Sequence, residues 1–230
     1  MVKKTVLFGI MSIIFLSHAE KINAEKNDTY YHYFKEPIGE HYFETVDPIN
    51  AGKHYKIMKI TDKIFNKYNI KYWADGGTLL GAMRHKGFIP WDNDNDIAMF
   101  EEDVDKILSL NSVFNTYGYR VSPWEWGGIR IYPLDGTWPR VDIFLCKQDN
   151  DRIVLSRAEY PHYYWLPEEI KTLKRVPFGP FKINVCSNPL RFLHTYYGKD
   201  VMTHARHYVE PWKQAYTIID FSPAAYIMPT

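Results

Sequence analysis

Asp94 and Asp96 stand two positions apart in the acidic segment Trp-Asp-Asn-Asp-Asn-Asp. On a strand, both carboxylates project from the same face, because side chains alternate between the two faces. Two carboxylates held that close repel each other unless a cation lies between them. Oxygen ligands of this kind suit Mg²⁺ or Mn²⁺, above all where substrate phosphates complete the coordination. The spacing therefore predicts a divalent metal site.

Asp142 is a candidate for a third carboxylate at this site. It lies in the apolar segment Arg-Val-Asp-Ile-Phe, where a lone acid is costly to bury unless it lies at a strand edge or is bound to something. If Asp142 lies on a strand next to the first two acids, it completes the set of carboxylates around the metal. A secondary role, as acceptor of the proton of a substrate hydroxyl, fits the same position.

Gly76 and Gly77 lie between a short apolar segment and a segment with helical spacing. At such a junction the backbone can approach a ligand closely and present free N–H groups at the positive end of the helix, which suits a phosphate. Thr78 either caps this helix or adds its hydroxyl to the phosphate site, and capping is the commoner role. A glycine pair followed by the two acids predicts a metal site next to a phosphate site.

Two other interpretations of the acids give no such site. Their spacing matches the first, third and fifth positions of an EF-hand loop, but Ile97 stands where the sixth position needs Gly and Asp103 where the twelfth needs Glu. Pro90 would also interrupt the entering helix. The calcium loop is therefore excluded. A solvated acidic turn stays open from the acids alone, although the nearby glycine pair disfavours it.

The elements that must position these residues mix helices and strands irregularly, which favours an α+β fold over a doubly wound sheet. Apolar periodicity predicts a helix over 51–68, with Asn69 as its C-cap. Further helices are expected at 78–84, 101–110 and 189–197. Strands are expected at 70–74, 97–100, 117–121, 129–132 and 141–145.

The domain organisation follows from length and from the first residues. Residues 1–19 predict a secretory signal peptide, because lysines precede an apolar stretch and Ser17-His18-Ala19 offers a cleavage site. An uncleaved signal anchor is the alternative, and the chain would contact a membrane only in that case. Residues 20–45 are expected to form a polar leader and 46–230 the catalytic domain. The expected location is the lumen of the secretory pathway or outside the cell.

Composition and the two cysteines narrow the possibilities further. The formal net charge is +1, and the sequence has no basic run of five or more residues. Nucleic-acid binding is therefore not expected. Cys146 and Cys186 either form a disulfide or serve as small buried apolar side chains.

The stretch from Gly76 to Asp96, which reads GGTLLGAMRHKGFIPWDNDND, resembles the LicD family, which includes fukutin and fukutin-related protein. Val141–Phe144 and Tyr197-Gly198 also resemble patterns of that family. The resemblance implies a nucleotidyltransferase-like fold with a mixed sheet flanked by helices. It also implies transfer of a phosphocholine or phosphoalditol group from a CDP-linked donor to a glycan hydroxyl, with release of CMP.

The resemblance assigns roles to individual residues. The metal, Mg²⁺ or Mn²⁺, would be held by Asp94, Asp96 and Asp142. Candidates for holding the donor phosphate or offsetting its charge are Gly76, Gly77, Thr78, Arg84, His85, Lys86 and Arg130. For the three consecutive basic residues, an ordinary surface turn is the alternative. Asn95 stands between the two metal-binding acids, where the family usually has an apolar residue.

Two rival functions stay open. A catalytically weak or inactive LicD-like protein would bind a glycan without turnover, and its surface would use Trp124, Trp126 and the run Tyr163-Tyr164-Trp165. Another enzyme of the same fold would transfer a nucleotidyl group, so that CMP would end up on the acceptor. Free CMP in the products distinguishes both from the phosphotransferase.

Overall fold

The computed structural model describes residues 33–38, 41–125, 127–157, 162–210 and 213–218. The predicted signal peptide and residues 20–32 of the predicted leader lie outside them. The helices are α1 (Pro48–Lys67), α2 (Gly76–Arg84), α3 (Val104–Ser109), α4 (Asn111–Asn115), α5 (Pro167–Lys171) and α6 (Pro189–Tyr197). The strands are β1 (Tyr33–Ile38), β2 (His41–Val46), β3 (Tyr72–Ala74), β4 (Asn95–Phe100), β5 (Tyr119–Pro123), β6 (Ile129–Pro133), β7 (Val141–Asp149), β8 (Arg152–Leu155), β9 (Tyr164–Trp165), β10 (Lys174–Phe178), β11 (Phe181–Val185), β12 (His204–Glu210) and β13 (Lys213–Ile218).

A seven-stranded mixed sheet is the centre of the molecule. Its main path runs β3-β4-β7-β6-β5, and β8 and β9 extend it from β7. Strands β4 and β7 pair in parallel, whereas the other pairs in the sheet are antiparallel. A mixed sheet between irregularly placed helices confirms the predicted α+β class.

Helices cover both faces of this sheet, as the alternation of side chains along β3 shows. Tyr72 points to one face and contacts Phe65 of α1, with ring centroids 5.5 Å apart. Trp73 points to the other face and contacts Trp165, with centroids 5.4 Å apart. Trp165 in turn stacks on Phe192 of α6 at 4.7 Å. The core therefore has two layers, one on each side of the sheet.

Helix α1 has well-defined ends that its sequence explains. The side chain of Asp47 accepts hydrogen bonds from the backbone N–H groups of Ile49 and Asn50, at 2.9 and 3.1 Å. Pro48 follows in the first turn, where a missing N–H does no harm. At the other end Asn69 has a φ of 52°, the left-handed conformation that follows many helices. The predicted C-terminal signal at Asn69 is confirmed.

Several predicted boundaries change in the structure. Part of the predicted leader forms the hairpin β1–β2. The glycine pair is the first turn of α2 and not a turn before it, because Asp75 acts as N-cap and accepts from the Gly76 N–H at 2.8 Å. Strand β5 begins later than expected, because Gly118, with a φ of 85°, still belongs to the preceding turn. Helix α6 has the predicted bounds.

Six strands, β8 to β13, and helix α5 of the second half are absent from the predicted elements. Strands β10 and β11 form a hairpin whose alternation is weak, because lysine, arginine and proline occupy much of β10. Strands β8 and β9 are only four and two residues long, and α5 has five residues, so each is too short for a periodic pattern to identify it. Cys146 and Cys186 are both free and buried, as the apolar alternative for these residues predicts.

Candidate metal and phosphate site

Asp94, Asp96 and Asp142 come together at one end of the parallel strand pair. Each of them offers one carboxylate oxygen, and these oxygens lie within 4.8 Å of one another. Asp96 and Asp142 are direct partners in the register of β4 and β7, so their side chains lie side by side on one face of the sheet. The register of β4 and β7 therefore brings Asp96 beside Asp142, and Asp94, which directly precedes β4, completes the cluster.

Burial makes this cluster electrostatically unfavourable in the absence of a cation. Asp96 and Asp142 are 1% and 6% exposed. The Oδ1 atom of Asp94 is buried and has no hydrogen-bond partner among the described residues. Burial, together with the charges of Asp96, Asp92 and Asp142, raises the pKa of Asp94 well above its usual range. A divalent ion would supply the missing charge and the missing partner, so these oxygen ligands fit Mg²⁺ or Mn²⁺.

The start of α2 lies directly against the acids. Gly76 has a φ of 47°, and a Cβ atom added to it would lie 3.3 Å from Asp96 Oδ2. A Cβ on Gly77 would lie 2.5 Å from Asp92 Oδ2, so the Asp92 carboxylate occupies the space over the second glycine. The helix N-terminus already attracts an anionic group at the place where phosphate binding is predicted.

Thr78 does not cap this helix. Asp75 is the N-cap, and Thr78 is the third helical residue. Its hydroxyl oxygen accepts a hydrogen bond from the backbone N–H of Asp96 at 2.7 Å. The capping interpretation is therefore wrong, and Thr78 instead fixes β4 at Asp96 against the helix that carries the glycines.

The Asp75 side chain holds the backbone of Gly76 through a hydrogen bond. Its Oδ1 atom accepts from the Gly76 N–H and also from the hydroxyl of Tyr163, at 2.5 Å. Burial raises the pKa of Asp75 to about 6, and these two hydrogen bonds act in the opposite direction. The left-handed backbone at Gly76 is thereby held in one conformation.

Arg130 lies in the same row of the sheet as the acids. It pairs with Asp142 in the register of β6 and β7, and its Nε and Nη2 donate to the two oxygens of Asp142 at 2.5 and 2.7 Å. The guanidinium also stacks on the ring of Trp124, 4.2 Å from its centroid. The structure therefore places Arg130 at the metal-binding acids, with its position fixed from two sides.

The three consecutive basic residues have different environments. Arg84 is buried; its Nη1 donates to the carbonyls of Val201 and His204, at 2.8 and 3.0 Å, and its Nε donates to His85. Burial raises the pKa of Asp92 to about 6, and the charge of Arg84 acts in the opposite direction. Burial, and secondarily the charge of Arg84, lowers the pKa of His85 to about 3. A surface turn is therefore wrong for Arg84 and His85.

Lys86 fits the surface-turn alternative. It is exposed, has a φ of 59°, and its ammonium donates to the carbonyl of Met83 at 3.0 Å. Arg84, by contrast, ties the end of α2 to the chain at 201–204. Of the three basic residues, Arg84 is the one whose positive charge acts on the pKa of Asp92.

Asn95 points away from the metal-binding acids. It is buried on the opposite face of β4, and its Nδ2 contacts His54 Nδ1 of α1 at 3.2 Å and the Arg140 carbonyl at 3.4 Å. Burial lowers the pKa of His54 to about 3, so the two side chains form a neutral polar pair. Asn95 is therefore accommodated by its contact with His54 of α1, on the face of β4 opposite the acids.

The aromatic run predicted for a glycan surface belongs largely to the core. Tyr163 and Trp165 are 8% and 0% exposed. Tyr164, which lies between them, contacts the guanidinium groups of Arg152 and Arg191. Trp126 lies outside the described residues. The run Tyr163-Tyr164-Trp165 as a glycan surface is therefore wrong, because its first and third residues pack inward.

Two residues of the site were not assigned a role from the sequence. Asp92 served only to test the calcium loop, yet burial raises its pKa to about 6 and it shares a hydrogen bond with Asp94. Tyr197 appeared only in a pattern, yet its hydroxyl oxygen lies 3.7 Å from the Cβ position of Gly76. For Asp92, its place in the acidic segment was the available signal. For Tyr197, the available signal was the resemblance of Tyr197-Gly198 to a family pattern, which does not indicate a role at the site.

A family model described as "LicD/FKTN/FKRP, nucleotidyltransferase domain" matches residues 69–188, which is more than half of the chain. That description agrees with the predicted nucleotidyltransferase-like fold. Among solved structures, the lincosamide antibiotic adenylyltransferase LnuA aligns with 64% of this chain and 94% of its own, at a TM-score of 0.42 and 16% identity.

Curated relatives cover different parts of the chain. Uncharacterized protein RP689 of Rickettsia prowazekii is 34% identical over 147 residues, which is 62% of this chain and 53% of that protein. Lipopolysaccharide cholinephosphotransferase LicD of Haemophilus influenzae is 48% identical over 54 residues, 24% of this chain and 20% of that protein. Human ribitol 5-phosphate transferase FKRP is 28% identical over 159 residues, 60% of this chain and 30% of that protein. The chain spans about half the length of its Rickettsia relative.

Proposed function

Because the chain belongs to the LicD/FKTN/FKRP family, we propose that it is a metal-dependent phosphotransferase. It moves a phosphocholine or phosphoalditol group from a CDP-linked donor to a glycan hydroxyl and releases CMP. One observation carries the proposal: three carboxylates offer oxygens within 4.8 Å of one another, directly beside the glycine-rich N-terminus of α2. The names of the relatives LicD and FKRP support transfer of a phosphorylated group.

In the proposed reaction the acceptor hydroxyl oxygen attacks the phosphorus atom of the transferred group, and the bond from that phosphorus to CMP breaks. Mg²⁺ or Mn²⁺, when bound, offsets charge on the donor phosphates and on the leaving CMP. Asp94, Asp96 and Asp142 hold this ion. The N-terminus of α2 holds the phosphate group at Gly76, because the Asp92 carboxylate occupies the space over Gly77. Phosphoryl transfer needs mainly positioning and neutralisation of charge, which these groups supply.

Asp142 and Arg130 act together in this proposal. Asp142 is a metal ligand and, secondarily, the acceptor of the proton that leaves the glycan hydroxyl. Arg130 donates hydrogen bonds to both oxygens of the Asp142 carboxylate and brings a positive charge to the edge of the phosphate site. Thr78 acts indirectly: its hydroxyl accepts a hydrogen bond from the Asp96 N–H and so fixes the position of β4 at Asp96.

The proposed location is the lumen of the secretory pathway or outside the cell, and it rests on the predicted signal peptide alone. CDP-linked donors form in the cytoplasm, so that location requires a transporter that delivers the donor. The acceptor in this proposal is a glycan or glycoconjugate.

The experiment is CMP release by the purified full chain with Mn²⁺ or Mg²⁺ and a glycan acceptor. The donor panel is CDP-choline, CDP-ribitol and CDP-glycerol, with UDP-glucose as the nucleotide control. We expect CMP release from one CDP donor, lost in EDTA and in Asp142→Asn. The matched control is Asp149→Asn, which removes an exposed acid from the same strand and retains activity.

The products separate this proposal from its rivals. Free CMP, together with a phosphorylated acceptor, supports the phosphotransferase. CMP attached to the acceptor identifies a nucleotidyltransferase instead. If cooperatively folded protein neither binds nor turns over any CDP compound in the presence of metal, the phosphotransferase proposal is wrong.

A further inference from the structure

Tyr197 reaches the candidate site from a part of the chain that the family model does not cover, since the match ends at residue 188. It is the last residue of α6, and Gly198, with a φ of 100°, turns the chain away directly after it. The ring is half-buried and packs against Tyr196, with centroids 4.7 Å apart. The side chain therefore has a defined position at the rim of the site.

The Tyr197 hydroxyl faces the same small space as Asp96. The Cβ position of Gly76, which glycine leaves empty, lies 3.7 Å from the Tyr197 hydroxyl oxygen and 3.3 Å from Asp96 Oδ2. Gly76, Asp96 and Tyr197 therefore surround one point, with a helix N-terminus, a metal-binding carboxylate and a phenol on its three sides. A phosphate group held by a metal ion at Asp96 and by the start of α2 would therefore lie near the Tyr197 hydroxyl.

The phenol brings a hydrogen-bond donor to a region that is rich in acceptors. Carboxylates accept hydrogen bonds but cannot donate them when ionised. A phenol hydroxyl, by contrast, can donate a hydrogen bond. A neutral donor suits a phosphate oxygen, which accepts strong hydrogen bonds.

We propose that the Tyr197 hydroxyl donates a hydrogen bond to a non-bridging phosphate oxygen of the CDP-linked donor where that phosphate lies over Gly76. This inference rests on the phosphotransferase function proposed above and adds a donor-contacting residue from α6. It assigns α6 a direct part in the reaction, in addition to its packing against the sheet.

Tyr197→Phe tests the inference, because it removes one oxygen and keeps the ring that packs on Tyr196. Tyr164→Phe is the matched control, since Tyr164 is also half-buried and its ring contacts arginines away from Gly76. Three quantities are measured on the full chain: Mn²⁺ affinity without donor, CMP affinity with Mn²⁺, and kcat/KM for the CDP donor.

We expect Tyr197→Phe to bind Mn²⁺ within about twofold of the wild type and to lose about ten- to a hundredfold in kcat/KM, the usual effect of one hydrogen bond to a charged group. Tyr164→Phe is expected to change none of the three measured quantities. An equal loss of Mn²⁺ affinity in Tyr197→Phe would make Tyr197 a support of the metal site and overturn the inference. So would a kcat/KM within twofold of the wild type.

The two proposals fail in different ways. If wild-type protein releases CMP and Tyr197→Phe does so equally well, only the Tyr197 contact is wrong. If the wild type neither releases nor binds CMP in the presence of Mn²⁺, the phosphotransferase function is wrong, and the contact with its donor is wrong with it.

Discussion

Two buried acidic sites of this protein are arranged in opposite ways. Glu169, in α5, is 3% exposed, and its two oxygens accept from Arg191 Nε and Nη2 at 2.6 Å each. One of them also accepts from the Leu166 N–H at 3.0 Å. At the acid cluster, by contrast, three carboxylates converge, and one of them, Asp142, has a bidentate arginine partner among the described residues.

The difference separates an acid that is compensated within the protein from acids that are not. A buried acid that serves the fold is neutralised and hydrogen-bonded within the protein. The acids around Asp94 keep an excess of negative charge and a buried oxygen without a partner among the described residues. Such an arrangement is unfavourable for the empty protein, and a bound cation relieves it.

Asp96→Asn gives the largest expected effect and tests the chemical side of this comparison. We expect CMP release to fall about a thousandfold, because the metal loses a charged ligand next to the phosphate. The stability of the metal-free protein is expected to hold or to rise, since repulsion within the cluster decreases. Turnover assays and urea unfolding in EDTA measure the two effects.

The control for Asp96→Asn is Asp105→Asn, which removes an exposed acid from α3 and is expected to leave turnover unchanged. A clear loss of stability in metal-free Asp96→Asn would contradict the comparison, because it would make Asp96 a structural acid like Glu169.

Glu169→Gln tests the structural side. We expect it to reduce the free energy of unfolding by about 3 kcal/mol, because the charge of Arg191 is left in a largely buried position without its partner. Glu168→Gln is the matched control, since the neighbouring glutamate is exposed and its substitution changes stability by less than about 0.5 kcal/mol. Urea unfolding measures both, and equal effects would refute the distinction.

The pH dependence of stability tests whether the cluster is unfavourable when it is empty. Burial raises the pKa of Asp75 and of Asp92 to about 6. Burial and the neighbouring acids raise the pKa of Asp94 well above its usual range. A carboxyl whose folded-state pKa is raised loses its stabilising contribution as the pH rises through that pKa. The metal-free protein is therefore expected to lose on the order of 2 kcal/mol of stability between pH 5 and pH 7.5.

Saturating Mn²⁺ is expected to reverse this slope, because the metal binds the charged carboxylates and its affinity increases with pH. Thermal unfolding across the pH range, with Mn²⁺ and with EDTA, measures both slopes. Asp94→Asn should flatten both curves. A metal-free protein whose stability increases steadily from pH 5 to pH 7.5 would show that the acids are compensated without a cation.

Arg130→Gln has the smallest expected effect and the most specific one. Without the guanidinium, the Asp142 carboxylate no longer has a positively charged hydrogen-bond partner, and the cluster becomes more negative. Mn²⁺ affinity should therefore rise about three- to tenfold. The KM for the CDP donor should rise as well, because one positive charge at the phosphate site is lost. Calorimetry measures the Mn²⁺ affinity, and initial rates measure the KM for the donor. Weaker Mn²⁺ binding would contradict this prediction and show that Arg130 positions Asp142 for the metal.

The site was predictable from the sequence to the extent that it depends on local alternation. The two-residue spacing of Asp94 and Asp96 predicted that they lie close together, although Asp94 directly precedes β4 and only Asp96 lies on the strand. The apolar neighbours of Asp142 predicted its strand, and proline at the start of α6 together with Gly198 after it defined that helix. Each of these signals lies within a few residues of the element it predicts.

The remainder of the site depends on contacts between distant segments, which no local pattern encodes. Arg84 belongs to a basic triplet, yet it is buried because the chain at 201–204 returns to its guanidinium. Tyr197 reaches Gly76 only because α6 packs across the sheet. The aromatic run at 163–165 has the composition of a binding surface, and only the position of β9 turns Tyr163 and Trp165 inward.

The parallel pairing of β4 with β7 has a consequence for synthesis of the protein. Asp94 and Asp96 emerge from the ribosome before β5 and β6, and Asp142 emerges after them. A nascent chain that ends before β7 has only part of the metal centre and leaves one edge of β4 unpaired, where it can pair with other chains. Parallel pairing between distant segments is also slow to form. The complete acid cluster therefore forms only after β7 has paired with β4, and a metal ion held by all three acids would stabilise only chains that have passed that step.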